Sequence, residues 1–381
     1  MKTPDAQAPE SFSSSGKSRW WYTLRIFLFS LATNFWPLLL FASQKIFVLP
    51  GILLAGFGDA AYRRDMLIAL LISLVGWLVY ITQFDNVYSG IHLLGFVSFV
   101  LAMPIVNHAV RHDDMVLRRF LTYFTLFNVA MGFYLLVSDL DLYGLRGLNR
   151  IEGTDGITYR VYFESSSLAA IFLLNSFRNR GLQIAALAVA VAFVVFVAKS
   201  VVIMALLGFN LALPYILRSS LPFKVIVVVT ALTAATLIYI YLPVIRPDID
   251  LSLRAKQFQL DIILGLMPDN WTGWGWGSFL PQLSTDREQP YQVEMQLPML
   301  LLQLGPIAVA AIMALTLMLF LSASERSVRG VARFAVYALI GFNNPWLFMP
   351  SWYLTCQLLF RDDDRSEKLA QPTGAHAGLS R

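Results

Sequence analysis

The chain has 381 residues, of which 57% are hydrophobic and only 14% are charged, and its mean hydropathy is +0.61. Soluble domains carry about 25% charged residues, so this composition excludes an ordinary water-soluble protein and predicts one that has lipid as its solvent. The net charge of +5 does not indicate nucleic-acid binding, because in a membrane protein the positions of the charges matter more than their sum.

The termini are polar. The first 16 or so residues contain no apolar core, so they do not read as a cleavable signal peptide, and residues 1–23 are expected to form a cytoplasmic segment. Residues 361–381 are rich in charged and small residues, which predicts a disordered cytoplasmic tail. The region between them, 24–360, is expected to be one transmembrane domain.

Apolar runs long enough for membrane helices recur throughout 24–360, since a span needs about 20 mostly apolar residues. Four weaker runs are short or interrupted by Pro and Gly, so the sequence predicts an all-α bundle of about ten to twelve spans. The clear runs are Leu24–Ala42, Met66–Thr82, Ile91–Val110, Phe120–Ser138, Leu182–Ala198, Val201–Leu217, Val225–Leu242 and Leu297–Leu321; the weaker ones are Ile46–Ala60, Glu164–Phe177, Val331–Phe342 and Pro345–Phe360.

The basic residues set the expected orientation. With the N-terminus in the cytoplasm, 20 of the 29 Lys and Arg fall in or beside inner segments, as the positive-inside rule requires. Seven others fall in two long outer loops, 139–163 and 243–296, and long loops translocate largely regardless of charge. Both termini are therefore expected inside, and the outer loops are expected to bind something anionic.

The first outer loop ends with a charged pair beside a serine run. Arg160 and Glu164 stand just before Ser165-Ser166-Ser167 and an apolar helix. One reading is a capped helix start with its charges at the lipid headgroups. The other is functional, in which Arg160 binds phosphate and Glu164 acts as a base or orients a sugar.

The second outer loop combines basic and aromatic residues. It carries Arg246 and Arg254, a stretch from Leu251 to Met267 that is expected to be helical, and the alternation Gly273-Trp274-Gly275-Trp276-Gly277. Aromatic faces stack on sugars, and they also form belts at membrane interfaces. Neither glycine-rich nucleotide pattern occurs in this stretch.

Two further polar residues lie beside apolar runs. Glu294 precedes the span that starts at Leu297, where it is either a catalytic carboxylate at the membrane surface or a solvated acid. Lys199 lies between two strongly apolar runs, where it either extends to the interface or pairs with a phosphate.

Residues suited to metal or disulfide chemistry are few. Cys356 is the single cysteine, so the chain forms no internal disulfide and no cysteine cluster. Four scattered histidines show neither the H-E-x-x-H pattern nor another zinc spacing, so no metal and no cofactor are expected; they are His92, His108, His112 and His376.

Three of these segments, in this order, resemble the O-antigen polymerase and O-antigen ligase superfamily of bacterial envelope enzymes. Residues 160–169 are similar to the family's Arg followed by Phe-Glu-Pro-Ser-x-x-Ala, and Ala198-Lys199-Ser200 is similar to its Ser-(Arg/Lys)-(Ser/Gly) turn. Arg254 with residues 268–279 is similar to its Arg, Pro and Gly-x-Gly-x-x-Phe stretch, and 300–305 resembles the helix that follows.

The chain departs from the family pattern at two places. Ser165 stands where the family usually has Pro, and residues 291–296 carry no His, which ligases typically have before the next helix. The second departure favours a repeat-unit polymerase over a ligase.

The resemblance implies an inner-membrane enzyme that joins undecaprenyl-pyrophosphate-linked oligosaccharides at its periplasmic face, without metal or cofactor. It implies a pyrophosphate clamp of Arg160 and Arg254, assisted by Arg246 and Lys199, since guanidinium groups stay charged and bind phosphate oxygens in pairs. Glu164 or Glu294 would assist the attacking hydroxyl, and Trp274 and Trp276 would stack on the glycan.

The expected partners are the lipid-linked oligosaccharide and the bilayer, with a flippase and a chain-length regulator as candidates and no nucleic acid. Two other classes compete. A transporter would show internal repeats and broken helices at mid-membrane, and a scaffold subunit of an export complex would not need clustered Arg beside aromatic residues.

Overall fold

The computed structural model describes residues 16–35, 59–83, 88–112, 115–138, 148–153, 156–161, 165–177, 179–218, 220–226, 229–230, 233, 236, 240–241, 249–278, 295–323, 328–343 and 346–359. The elements are α1 (Gly16–Asn34), α2 (Ala60–Thr82), α3 (Ser89–Arg111), α4 (Met115–Val137), β1 (Leu148–Gly153), β2 (Gly156–Val161), α5 (Ser166–Asn175), α6 (Arg180–Ala192, continued by a π-helical turn Phe193–Ala198), α7 (Val201–Arg218), α8 (Ile249–Leu266, followed by a 3-10 turn Met267–Asp269), α9 (Gln296–Ala323), α10 (Val328–Asn343) and α11 (Pro350–Leu358).

Five of the described helices are long and apolar enough to cross a bilayer: α2, α3, α4, α6 with its π-helical turn, and α9. Helix α2 shows the lipid-facing side that such a helix requires, because large apolar side chains at helical spacing stay exposed along it. They are Leu67, Leu70, Leu71, Leu74, Leu78 and Ile81. The chain is therefore a helical membrane protein, and the apolar runs predicted at these five positions are confirmed as helices.

Helices α2, α3 and α9 pack together and define two ends of the bundle. At one end lie Gln83, just after α2, and Ser89, the first residue of α3; we call it the Gly-Trp end, after the 273–277 segment that docks there. At the other end lies Asp59, just before α2, and we call it the Asp59 end. Helix α9 runs from the Gly-Trp end to the Asp59 end, because Asn107 Nδ2 near the end of α3 donates to the Leu319 carbonyl at 2.8 Å.

Two short helices replace two of the weaker predicted spans. In the described part of Glu164–Phe177 only Ser166–Asn175 is helical, and in Pro345–Phe360 only Pro350–Leu358. At 1.5 Å per residue each is about 15 Å long or less, against about 30 Å of hydrocarbon, so neither crosses the bilayer by itself. Both are buried among longer helices, and the total number of spans stays a prediction.

The first outer loop contains a β-hairpin that the all-α prediction did not include. Strands β1 and β2 pair antiparallel with Asn149 opposite Arg160 and Gly153 opposite Gly156. The segment Gly153-Thr154-Asp155-Gly156 is a turn sequence, and the Ile157-Thr158-Tyr159 that follows it has high β-propensity, which together are a recognisable hairpin signal. The hairpin fixes the backbone position of Arg160. In the second outer loop the predicted helix is present as α8, and Pro268 falls in the 3-10 turn after it.

A buried polar network joins four helices near the Asp59 end. The carboxylate of Asp65 on α2 is fully buried and forms an ion pair with Arg111 on α3. Asn107 donates to Asp65 Oδ2 at 3.1 Å and accepts from the Tyr353 hydroxyl of α11 at 3.0 Å. Arg111 also donates to Ser322 Oγ at 3.0 Å. Because a buried charge without a partner is costly, this network fixes how α2, α3, α9 and α11 meet.

Candidate functional site

Arg160 and Lys199, which the sequence separates by 38 intervening residues, are brought together by the hairpin and by the end of α6. Arg160 is the penultimate residue of β2, and its Nε donates to the Ala198 carbonyl at 2.7 Å. Ala198 is the residue directly before Lys199. Arg160 is therefore hydrogen-bonded to the backbone of the turn that carries Lys199.

The turn at Lys199 has an unusual backbone. Phe193–Ala198 form a π-helical turn, and Lys199 follows with φ 44° and ψ 45°. It has the single positive φ of a non-glycine residue among those the structure describes. The last carbonyls of a helix lack helical donors, and Arg160 supplies one to Ala198. A cation at a helix C-terminus is also electrostatically favourable there.

Helix packing holds this turn against α4. A Cβ placed on Gly132 of α4 would lie 2.9 Å from the Phe193 ring and 3.2 Å from Val197 Cγ1. The π-helical turn therefore approaches α4 as closely as a glycine allows. Gly132 lies in the last two turns of α4. Because α2, α3 and α4 alternate in direction along the chain, α4 ends at the Gly-Trp end, and the Arg160–Lys199 turn lies at that end too.

Lys199 is only partly exposed, and Ser200 beside it is buried. Burial lowers the pKa of the Lys199 ammonium from its ordinary value, because charge is less well solvated there than in water. An anion bound beside Lys199 would supply that missing solvation. The turn is therefore electrostatically suited to a phosphate or pyrophosphate group.

The serine run at the start of α5 lies inside the bundle. Ser165, Ser166 and Ser167 are buried, and the Ser165 hydroxyl makes no capping hydrogen bond to the helix. Its Oγ instead lies 3.5 Å from Asn128 Nδ2 of α4. Asn34 of α1 joins the same network, and its Nδ2 donates to Thr125 Oγ1 at 3.0 Å. Helix α5 thus begins at a polar contact of α1, α4 and the end of the first outer loop.

The Gly-Trp segment, residues 273–277, is docked into a break in α9. Gly305 has φ 74° and ψ 161° inside α9 and is followed by Pro306. Pro has no N–H, so the Leu302 carbonyl four residues earlier loses its helical donor. Trp274 N donates to that carbonyl at 3.0 Å, and Gly275 N donates to the Gln303 carbonyl at 2.8 Å. The segment thereby satisfies the backbone groups that the break exposes.

The two tryptophans of this segment have different environments. Trp274 is 44% exposed, whereas Trp276 is 2% exposed. The Trp276 indole Nε1 donates to the Gly76 carbonyl of α2 at 2.9 Å, and its ring lies 5.0 Å from that of Phe96. Trp276 therefore does not present a face for a glycan, and its role as a stacking residue is corrected to that of an anchor. Trp271, three residues before Trp274 and passed over in the sequence analysis, is 63% exposed.

Arg254 lies on the exposed side of α8. Helix α8 packs onto the start of α9 through Ile263, which clusters with Met295, Met299 and Leu302. The structure thus places Arg254 on a helix that packs against α9 near the Gly-Trp segment. The remaining predicted site residues, Glu164, Arg246 and Glu294, lie outside the described residues.

A second cluster, which the sequence reasoning missed, lies at the Asp59 end. His108 of α3 and His112, the residue directly after α3, approach Asp59, with His108 Nδ1 at 3.2 Å and His112 Nε2 at 3.7 Å from Asp59 Oδ2. One ligand atom from each of the three residues lies within 4.8 Å of the other two. The expectation that no histidines have metal-site spacing is corrected here. Residues four apart on a helix share a face, so the signal was present in His108 and His112, but Asp59 is too distant in sequence to be matched to them.

Comparisons with protein-family models, with curated proteins and with solved structures found no match to this chain. The resemblance to the O-antigen polymerase and ligase superfamily therefore rests on the sequence motifs alone.

Proposed function

We propose that this protein is an inner-membrane polymerase of bacterial envelope glycans, which joins oligosaccharide repeat units carried on undecaprenyl pyrophosphate. The observation that carries the proposal is the meeting of Arg160 with the Lys199 turn, because both residues belong to motifs that resemble the polymerase family and both suit a pyrophosphate. A metal-independent transfer needs such cations, since the leaving group carries the developing charge.

The proposed orientation of the protein in the membrane follows from the distribution of its basic residues. The Asp59 end is rich in arginine, with Arg63 and Arg64 at the start of α2, Arg111 at the end of α3, and Arg118 and Arg119 at the start of α4. The positive-inside rule assigns that end to the cytoplasm. The Gly-Trp end, with Lys199, the hairpin and α8, then faces the periplasm, where lipid-linked repeat units are polymerised in the family that the motifs resemble.

In the proposed reaction an acceptor sugar hydroxyl attacks the anomeric carbon of the donor glycan. The new C–O bond forms as the bond from that carbon to the phosphate oxygen breaks, and the lipid pyrophosphate leaves. Arg160 and Lys199 stabilise its charge, with Arg254 and Arg246 completing the clamp. Glu164 or Glu294 accepts the hydroxyl proton, and Trp274, which is exposed, stacks on the glycan.

The experiment is complementation of a strain that lacks the chain, using Arg160→Ala, Lys199→Gly and Arg254→Ala. Glycan length is read on a gel, and lipid-linked glycans are identified by mass spectrometry. The expected result is loss of long polymer with single repeat units accumulating on the lipid carrier. Glycine is chosen at position 199 because it accepts the positive φ without strain, so the variant removes the side chain and its charge while keeping the backbone of the turn.

Arg119→Ala is the matched control, because Arg119 is an exposed arginine at the opposite end of the bundle, and it should leave the polymer unchanged. Equal membrane expression of all variants is confirmed first. Full-length polymer that stays on the carrier would instead indicate a ligase. Normal polymer from all three site variants would overturn the site and the proposed function with it.

A transporter of lipid-linked glycans is the second candidate, because two features of the helices favour it. Helix α5 begins at a buried polar contact, and α9 is broken at Gly305-Pro306; broken helices are typical of transporter binding sites. However, the Gly-Trp segment already forms hydrogen bonds to the backbone carbonyls that the break exposes. In the deletion strain, repeat units of a lost transporter would accumulate on the cytoplasmic leaflet, whereas those of a lost polymerase would accumulate on the periplasmic leaflet.

A further inference from the structure

The cluster of Asp59, His108 and His112 lies at the Asp59 end, away from the Arg160–Lys199 turn, and the proposed polymerase reaction does not use it. We propose that these three side chains form a binding site for a first-row transition-metal dication, with Zn²⁺ as the best fit. The proposal goes beyond the proposed function and does not depend on it.

The spacing of the ligand atoms suits zinc. On a tetrahedral Zn²⁺ with bonds of about 2.0 Å, neighbouring ligand atoms stand about 3.3 Å apart. Asp59 Oδ2 lies 3.2 Å from His108 Nδ1 and 3.7 Å from His112 Nε2. All three atoms fall within 4.8 Å of one another, so small side-chain rotations bring them to the distances of a bound ion.

Local structure presents the ligands in the required orientation. Asp59 is the N-cap of α2, and its Oδ1 accepts a hydrogen bond from Ala61 N at 2.8 Å. That bond fixes the carboxylate so that Oδ2 faces the histidines, as supporting hydrogen bonds do for ligands in metal sites. His108 and His112 stand one turn apart at the end of α3, which places their rings side by side with centroids 4.5 Å apart.

The chemistry of the donor set selects the metal. Two imidazole nitrogens and one carboxylate oxygen suit Zn²⁺, Co²⁺, Ni²⁺ or Cu²⁺, whereas Mg²⁺ and Ca²⁺ prefer a shell made of oxygen. Three protein ligands leave a fourth position for water. The His112 side chain is 52% exposed, so an ion reaches the site from the aqueous side of the membrane.

Neighbouring charge does not prevent cation binding. Arg111 lies three residues after His108 on α3, but its guanidinium is ion-paired with the buried carboxylate of Asp65. Asp113 and Asp114 follow His112 in the sequence and add negative charge to the same loop. A metal here would join the beginning of α2 to the end of α3, the helix pair whose other ends hold the Gly-Trp segment.

The test measures metal binding to the full chain, purified in detergent without a polyhistidine tag and stripped with a chelator. Zn²⁺ binding is measured by calorimetry and by elemental analysis after desalting, and Co²⁺ is added separately to read its visible absorption. One Zn²⁺ per chain and the strong visible bands of four-coordinate Co²⁺ are expected. Mg²⁺ should neither bind nor compete.

Three variants test the ligands individually: His108→Gln, His112→Gln and Asp59→Asn. Asn is itself a good N-cap, so Asp59→Asn removes the charge while keeping the start of α2. Residues that only support a ligand typically contribute about 10- to 100-fold to metal affinity, so each of the three changes should weaken Zn²⁺ binding by more than about 10-fold. His376→Ala, a histidine of the tail, is the control and should bind like the parent chain.

Two results would overturn the proposal. No stoichiometric Zn²⁺ in the parent protein would leave the cluster as an ion pair at a helix end. Binding that survives Asp59→Asn and falls only with His376→Ala would assign the metal to the tail. Neither result would bear on polymer formation, which the Arg160 and Lys199 variants test separately.

Discussion

The backbones of Gly273 and Gly305 lie in direct contact, with one in the second outer loop and the other at the break in α9. A Cβ on Gly273 would lie 2.4 Å from the Gln303 carbonyl oxygen, and one on Gly305 would lie 2.6 Å from Gly273 N. Both glycines have positive φ. The docked loop and the broken helix therefore form one structural unit, which tolerates no side chain at Gly273 or Gly305.

Gly305→Ala and Gly273→Ala are each expected to prevent correct folding. Either change combines a backbone strain of about 1–3 kcal/mol with overlap against backbone atoms that cannot move aside. The measurement is the monodisperse yield and melting temperature in detergent. Gly265→Ala on α8 is the control, because a Cβ there meets nothing within 4 Å and Ala favours a helix over Gly by up to about 1 kcal/mol. Parent-like yield from Gly305→Ala would contradict the docking.

The buried pair of Asp65 and Arg111 gives a prediction about stability. Removing one partner leaves the other charge buried without compensation, at a cost of about 3–5 kcal/mol. Asp65→Asn and Arg111→Met should therefore each lower the melting temperature strongly. The double variant should recover much of the loss, because it leaves no uncompensated charge. A double-mutant cycle from thermal melts checks this. Additive losses in the double variant would show that the two charges do not interact.

Sequence reasoning located the long helices because lipid imposes a simple rule of length and hydropathy, which α2, α3, α4 and α9 all follow. The sequence-based prediction failed where length and hydropathy do not decide the structure. The run at Ser166–Asn175 is apolar because other helices bury it, and hydropathy does not distinguish burial in protein from contact with lipid. The sequence analysis also did not predict the hairpin, although the sequence contains its turn residues.

The site was predictable to a similar degree. Arg160 and Lys199 were named from their motifs, but only the folded chain shows that Arg160 binds the residue before Lys199. The Gly-Trp alternation predicted two equivalent aromatic rings, whereas the Gly305-Pro306 break draws Trp276 into the core and leaves Trp274 outside. Prediction of the histidine cluster required pairing His108 and His112 with Asp59. Asp59 is 49 residues from His108, and no local sequence pattern predicts that pairing.

The two tryptophans of the Gly-Trp segment should separate stability from function. Trp276→Phe removes the indole hydrogen bond to Gly76 from a buried site, at a cost of about 1–3 kcal/mol, so it should lower the melting temperature. Trp274→Ala should leave the melting temperature within a degree or two of the parent while shortening the glycan, because Trp274 is exposed and lies in the proposed glycan path. Normal glycan from a well-expressed Trp274→Ala variant would remove Trp274 from the site.

Lys199 gives a prediction about pH. Because burial lowers its pKa, Lys199 loses its proton at a lower pH than an ordinary lysine, whose pKa is about 10.4. The proposed reaction needs the charged form, so the rate should decline on the alkaline side, beginning below the pH at which an exposed lysine would titrate. Bound pyrophosphate favours the ammonium, and saturating substrate should therefore move the decline to higher pH.

Lys199→Arg and Lys199→Gly separate charge from backbone. Arginine stays protonated throughout the accessible range, so Lys199→Arg should abolish the alkaline decline, while Lys199→Gly should be slow at every pH because it lacks the charge. The measurement is polymerisation of lipid-linked repeat units by purified protein in vesicles, from about pH 7 to about pH 10, at limiting and saturating substrate. If Lys199→Arg kept the parent's alkaline decline, another group would be titrating, and the charge of Lys199 would not limit the reaction.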